Sequence, residues 1–134
     1  MLGRGHVAAA LQHARAVEVE LTDGWAMERF LVPVRTVDLA DRRAAVQAVS
    51  TSDMVGTAVG TRILPAVLDL IAKGLKSAVR PVNVIAFENH ENAARVIRKG
   101  LRTRLGSGVD RHGVTGAVIA RAVAHRVFAE DGRV

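Results

Sequence analysis

The sequence predicts an α/β fold: a three-layer unit with parallel strands, plus an antiparallel hairpin. Three observations predict it. Residues 53–59 (DMVGTAV) and 82–87 (VNVIAF) are short and nearly uncharged, the composition of buried strands. Helical periodicities lie before, between and after them, and strands alternating with helices imply right-handed crossovers and a parallel sheet. Upstream, two β-rich runs flank a short Gly-containing turn, the pattern of a hairpin.

Composition sets the outer bounds. The 134 residues give room for one domain, and 49% of them are hydrophobic, enough to bury a core. Aromatic residues are only 3%, so that core is built from branched aliphatics. The chain has no Cys, which excludes disulfides, thiolate chemistry and cysteine-ligated metals and fits a reducing cytoplasm. No apolar run approaches the roughly 18 residues of a membrane span, and no signal-peptide pattern opens the chain. A membrane location is therefore not expected.

The elements follow in order. Residues 7–15 are Ala-rich and helix-prone. Val17, Val19 and Leu21 alternate with Glu18 and Glu20, the period of a half-buried strand. Thr22, Asp23 and Gly24 supply turn chemistry before a second run over 28–37 with Phe30, Leu31, Val32 and Val34. Asp41 is a natural N-cap for a helix through Val49, with Ala44, Ala45 and Ala48 on one face. After the strand over 53–59, Ile63, Val67, Leu70, Ile71 and Leu75 recur at helical steps, with Pro65 in the first turn, where a missing N–H costs little. Pro81 precedes the strand over 82–87. A helix over 93–105 follows, and Gly106, Gly108 and Gly113 predict a loop. The tail over 114–128 suits helix or strand.

The net charge of +6 invites a nucleic-acid reading. Arg95, Arg98, Lys99 and Arg102 share one face of the helix over 93–105, opposite an apolar stripe of Ala93, Ala94, Ile97, Leu101 and Leu105. That is the pattern of a solvated outer helix. No aromatic residue interleaves with these cations, so a base-stacking platform is lacking and nucleic acid is not an expected partner.

Ligands of parallel sheets bind at the carboxyl ends of the strands. Ala58, Val59, Gly60 and Asn89 occupy those positions. Gly after a strand permits close backbone approach, and Asn offers both donor and acceptor. Asn89 has a second reading, as N-cap of the following helix. Glu88 and Glu91 suggest paired carboxylates, but Glu91 also suits the first turn of a helix. Gly3, Gly5 and Ala8 match G-x-G-x-x-G/A with Asp23 about twenty residues on, yet no strand precedes Gly3 as that fingerprint requires. His90, His112 and His125 are too scattered for a metal site, and no catalytic set is assigned.

These residues carry a resemblance. The run DMVGTAVG over 53–60, followed by Ile63-Leu64-Pro65 and by Ile71 to Leu75 (IAKGL), resembles the mannitol dehydrogenase family. The similarity is to its mannitol-1-phosphate 5-dehydrogenase branch, which has a D-x-V-x-T-A-V-G strand and a helix closing in A-x-G-L. Residues 83–89 (NVIAFEN) are similar to the family's N-x-I-A-C-E-N segment, with Phe87 in place of Cys. The resemblance runs from about Ala9 to Leu105. Farther on, Arg121 has a counterpart, but Ala120 stands where the family has Asp.

The resemblance implies an incomplete Rossmann-like domain, spanning residues 1–134, of an NAD-dependent oxidoreductase. That enzyme would interconvert a polyol phosphate and a ketose phosphate by hydride transfer. In the family's register the chain starts after the first βαβ unit and stops before the helical domain with the catalytic lysine. Ala58, Val59, Gly60 and Asn89 are then cofactor-binding residues at the nicotinamide end, and no residue is matched to proton transfer. The expectation is a cytoplasmic fragment, inactive alone, with an exposed sheet edge that favours self-association or a complementing chain. The alternative is a non-catalytic α/β module that pairs with another chain.

Overall fold

The computed structural model describes residues 15–60 and 62–117. The Gly3–Gly5 match, all but the last residue of the helix expected over 7–15, Ala120, Arg121, His125 and most of the tail lie outside the described residues. The described residues divide between two compact units, 15–38 and 39–117.

In the first unit, β1 (Ala16–Thr22) pairs antiparallel with β2 (Met27–Pro33). The turn forms because Asp23 Oδ1 accepts the N–H groups of Trp25 and Ala26, both at 2.9 Å. Those bonds, to Ala26 and then to Trp25, hold the Asp23 carboxyl below the usual range. Gly24 takes the left-handed conformation the turn needs, at φ +93°. Alternation puts Val17, Val19, Phe30 and Val32 on one face. On the other, Arg29 pairs with Glu20 at 2.7 Å.

The second unit runs α1 (Arg42–Ser50), β3 (Met54–Thr57), α2 (Leu64–Ser77), β4 (Asn83–Ala86), α3 (Ala93–Leu105), a 3₁₀ turn (Gly106–Arg111) and β5 (Gly113–Gly116). The expected parallel sheet is present, with strand order β3-β4-β5 and both pairings parallel. Asp41 caps α1 as expected, its Oδ1 accepting the Ala44 N–H at 3.0 Å. Pro65 lies in the first turn of α2.

One face of the sheet carries the core. Val84 and Ala86 of β4 and Val114 of β5 pack with Leu64, Ile71 and Leu75 of α2 and Ile97 and Leu101 of α3. The opposite face is more open than an uncharged strand suggests: Met54 is 58% exposed, and Gly56 and Thr115 are exposed beside half-buried Ile85. β4 is the central strand, and no described strand pairs with the outer edge of β3. The loop expected at Gly106 is instead a 3₁₀ turn, anchored by the fully buried Val109. It leads directly into β5, and there the ambiguous tail begins as strand.

The basic face of α3 is spoken for in part. Arg102 pairs with Asp110, Arg104 with Asp69, and Arg98 donates to the Val114 carbonyl at 2.8 Å. The Arg104 guanidinium holds the Asp69 carboxyl below its ordinary range. These cations staple neighbouring elements, as expected of a solvated outer helix.

Candidate cofactor site at the carboxyl ends of the strands

Parallel pairing aligns the exits of β3 and β4. Thr57 stands opposite Ala86, and the Phe87 N–H donates to the Thr57 carbonyl at 2.8 Å. The ladder to β5 continues one step further through the Ala117 N–H to the Ala86 carbonyl. The chain leaves β3 through Ala58, Val59 and Gly60, and leaves β4 through Phe87, Glu88 and Asn89. The structure therefore brings all four expected site residues to the same end of the sheet.

Their surroundings differ. Ala58 is exposed, whereas Val59 is half-buried with its side chain packed against the core. Gly60 has φ +80°, and a Cβ added there would meet no atom within 4 Å. Its carbonyl accepts the N–H groups of Ile63 and Leu64, so this residue also launches α2. Asn89 is exposed. It is not the cap of α3: that position belongs to Asn92, whose side chain makes no capping bond. Glu91 also precedes the first helical turn rather than occupying it.

Sequence reasoning weighed Glu88 only as half of a carboxylate pair with Glu91 and did not place it in the site. Its carboxylate is buried, with Oε1 accepting the Val59 N–H at 3.0 Å and Oε2 accepting the Gly60 N–H at 2.9 Å. A buried carboxylate needs such charge-assisted donors to offset its lost hydration. Two adjacent amides aimed at one anion supply them, and they lock the exit of β3 to the exit of β4. The sequence signals were its position directly after a buried strand and its place in the NVIAFEN segment.

Two further groups border this end of the unit or brace its base. The Thr57 hydroxyl is buried with no hydrogen-bond partner among the described residues. At the opposite end of β4, buried His112 accepts the Val82 N–H on Nδ1 at 3.2 Å. Burial, and then the charge of Arg111, lowers the His112 pKa and keeps the ring a neutral acceptor. His112 is thus a structural brace rather than a ligand. Among the described residues no group of three His, Asp or Glu side chains is placed to hold a metal, and no helix is long and apolar enough to cross a membrane.

The carboxyl ends of parallel strands, here left through a Gly-containing turn, are where α/β proteins bind small ligands and nucleotides. Comparison with known proteins narrows the class. The chain is 39% identical over 67 residues to the mannitol-1-phosphate 5-dehydrogenase of Shouchella clausii, a match covering 48% of the chain and 18% of that enzyme. It is 36% identical over 83 residues to the enzyme of the same name from Brevibacillus brevis, covering 59% of the chain and 22% of the relative. A longer match, 25% identical over 123 residues, covers 75% of the chain and 33% of the Bacillus velezensis enzyme. The chain thus carries a segment similar to mannitol-1-phosphate 5-dehydrogenases, bearing out the resemblance to the mannitol dehydrogenase family. The first two matches span only about a fifth of the relatives' length. No protein-family model matches the chain.

The residues present fit one end of a dinucleotide. Open space above Gly60 and exposed polar groups at Asn89 suit a flat ring approached by backbone. The described residues contain no Gly-rich turn between a strand and a helix of the kind that cradles a pyrophosphate.

Proposed function

We propose that this chain contributes the nicotinamide end of the cofactor site of an NAD-dependent polyol-phosphate dehydrogenase in the cytoplasm. The observation that carries the reading is the turn Ala58–Gly60, fixed at the carboxyl edge of a parallel sheet in a segment similar to mannitol-1-phosphate 5-dehydrogenases. When bound, NAD supplies the hydride chemistry that converts a polyol phosphate to a ketose phosphate. Ala58 and Gly60 offer backbone with little side chain to obstruct a ring, and Val59 ties that backbone to the core. Asn89 offers a carboxamide donor and acceptor from the neighbouring strand exit to orient the ring or the substrate.

The test is a titration of the isotope-labelled 134-residue chain with nicotinamide mononucleotide, followed by amide resonances. Perturbations should concentrate at Ala58, Val59, Gly60 and Asn89. Perturbations elsewhere, or none at millimolar ligand, overturn the assignment.

A second reading, a non-catalytic module that pairs with another chain, draws on the outer edge of β3, which no described strand covers. Both readings allow association through that edge, so the response to nicotinamide mononucleotide separates the two. Association abolished by Met54→Lys, with no response to nicotinamide mononucleotide, favours the module; a response at Ala58, Val59, Gly60 and Asn89 favours the dehydrogenase. Neighbouring coding sequence for a Gly-rich βαβ unit or a lysine-bearing helical domain would also support the enzyme.

A further inference from the structure

Glu88 is the one buried acid among the described residues, only 5% exposed, and both of its oxygens accept hydrogen bonds. Its partners are consecutive amides 29 and 28 residues earlier in the chain. One of them belongs to Gly60, whose φ of +80° is a conformation that a free turn holds only loosely. A neutral side chain of the same shape cannot satisfy both donors: a carboxamide offers one oxygen, and its NH₂ would face the second N–H. The two-amide arrangement therefore calls for two acceptor oxygens side by side, which a carboxyl group offers and a carboxamide does not.

We propose that Glu88 is a positioning residue of the cofactor site, a strap that holds the Ala58–Gly60 turn in the shape that receives the nicotinamide moiety. It acts through the Val59 and Gly60 amides and touches neither cofactor nor substrate. The inference rests on the dehydrogenase reading above. It adds to that reading the residue on which the turn's geometry depends.

The experiment compares the wild-type chain with Glu88→Gln in two measurements. The first is the resonance position and hydrogen-exchange rate of the Val59 and Gly60 amides, with Val84 and Ile97 as core references. The second is affinity for nicotinamide mononucleotide by titration. Glu88→Gln should free one amide, visible as an upfield shift and faster exchange there, while Val84 and Ile97 keep their protection. Affinity should fall about tenfold or more, as expected for loss of one hydrogen bond to a charged group. Glu88→Asp, which keeps the charge on a chain one methylene shorter, should lie between wild type and Glu88→Gln in both measurements.

The outcomes are separable. Equal affinity in wild type and a folded Glu88→Gln overturns this inference and leaves the dehydrogenase reading standing. Failure of nicotinamide mononucleotide to perturb the wild-type turn overturns that reading, and the inference with it. If Glu88→Gln does not fold, Glu88→Asp decides: unchanged affinity despite lost protection at Val59 and Gly60 refutes the strap.

Discussion

Gly60→Ala isolates the conformational requirement of the turn. The residue stands at φ +80°, a region that side-chain-bearing residues rarely adopt, and an added Cβ meets nothing within 4 Å. Steric overlap therefore contributes nothing, and the cost is that of left-handed backbone alone, about 1–2 kcal/mol. For a unit of this size, that corresponds to a melting temperature lower by about 4–16 °C. Gly108→Ala is the matched control, because its Cβ would make only an ordinary contact with Leu105 at 3.9 Å and its φ is not positive. That substitution should be neutral or slightly stabilising, since it restricts the unfolded chain. Thermal unfolding of the two variants side by side is the assay. Equal stability of Gly60→Ala and Gly108→Ala would refute the left-handed conformation at Gly60, and with it the geometry by which Glu88 meets two successive amides.

Three other outcomes are expected. Ile97→Ala, at a fully buried position in the core, should lower stability by about 2–5 kcal/mol in urea denaturation with little change in denaturant slope. His112 has a lowered pKa in the folded chain, so below the ordinary value of about 6.5 the unfolded state binds more protons. Stability should therefore be full above that pH and decline as the pH falls through it, a decline that His112→Asn should blunt in urea midpoints measured at pH 7.5 and 5.5. Expressed alone, the 134-residue chain should oxidise no mannitol-1-phosphate and bind NAD no more tightly than nicotinamide mononucleotide, in the millimolar range, by calorimetry. Each charge-assisted bond to a pyrophosphate is worth about 1.5–3 kcal/mol, and the described residues hold no Gly-rich turn to make one. Micromolar binding lost in Gly60→Val would instead bring the Gly3–Gly5 segment into the site.

Local chemistry made most of the second unit legible. Helix α3 spans the same residues, 93–105, that its apolar stripe delimits, because a wide amphipathic face admits only one way to bury Ile97 and Leu101. Asp41 caps α1 because a short acceptor before a helical run has an amide to meet. The misreadings also have local causes. The glycines at 106, 108 and 113 read as loop, but Val109 among them reaches the core and winds the segment into a 3₁₀ turn. Asn89 competed for the cap of α3, yet the His90 ring accepts the Asn92 N–H at 3.1 Å and the chain makes a further turn before the helix begins. The uncharged run at 53–59 suggested cover on both faces, but charge is a poor guide where Met54 and Gly56 meet solvent.

Glu88 was hidden for a different reason. Its partners are far off in sequence, and nothing in either segment announces the other. The pairing exists only because Thr57 and Ala86 fall into register, which puts the residue two past Ala86 level with the turn that begins one past Thr57. Read locally, Glu88 is an acid at a strand end, a position where solvent exposure is the ordinary outcome. Exposed, it would leave the Val59 and Gly60 amides to water and the turn free to relax. Buried, it must find donors, and those two amides are the ones that donate to it. The Gly that leaves β3 and the Glu that leaves β4 are thus one device divided between two strands. Ala58, Val59, Gly60 and Asn89 could be found one by one from strand ends, whereas the residue that fixes their geometry became visible only when the sheet was assembled.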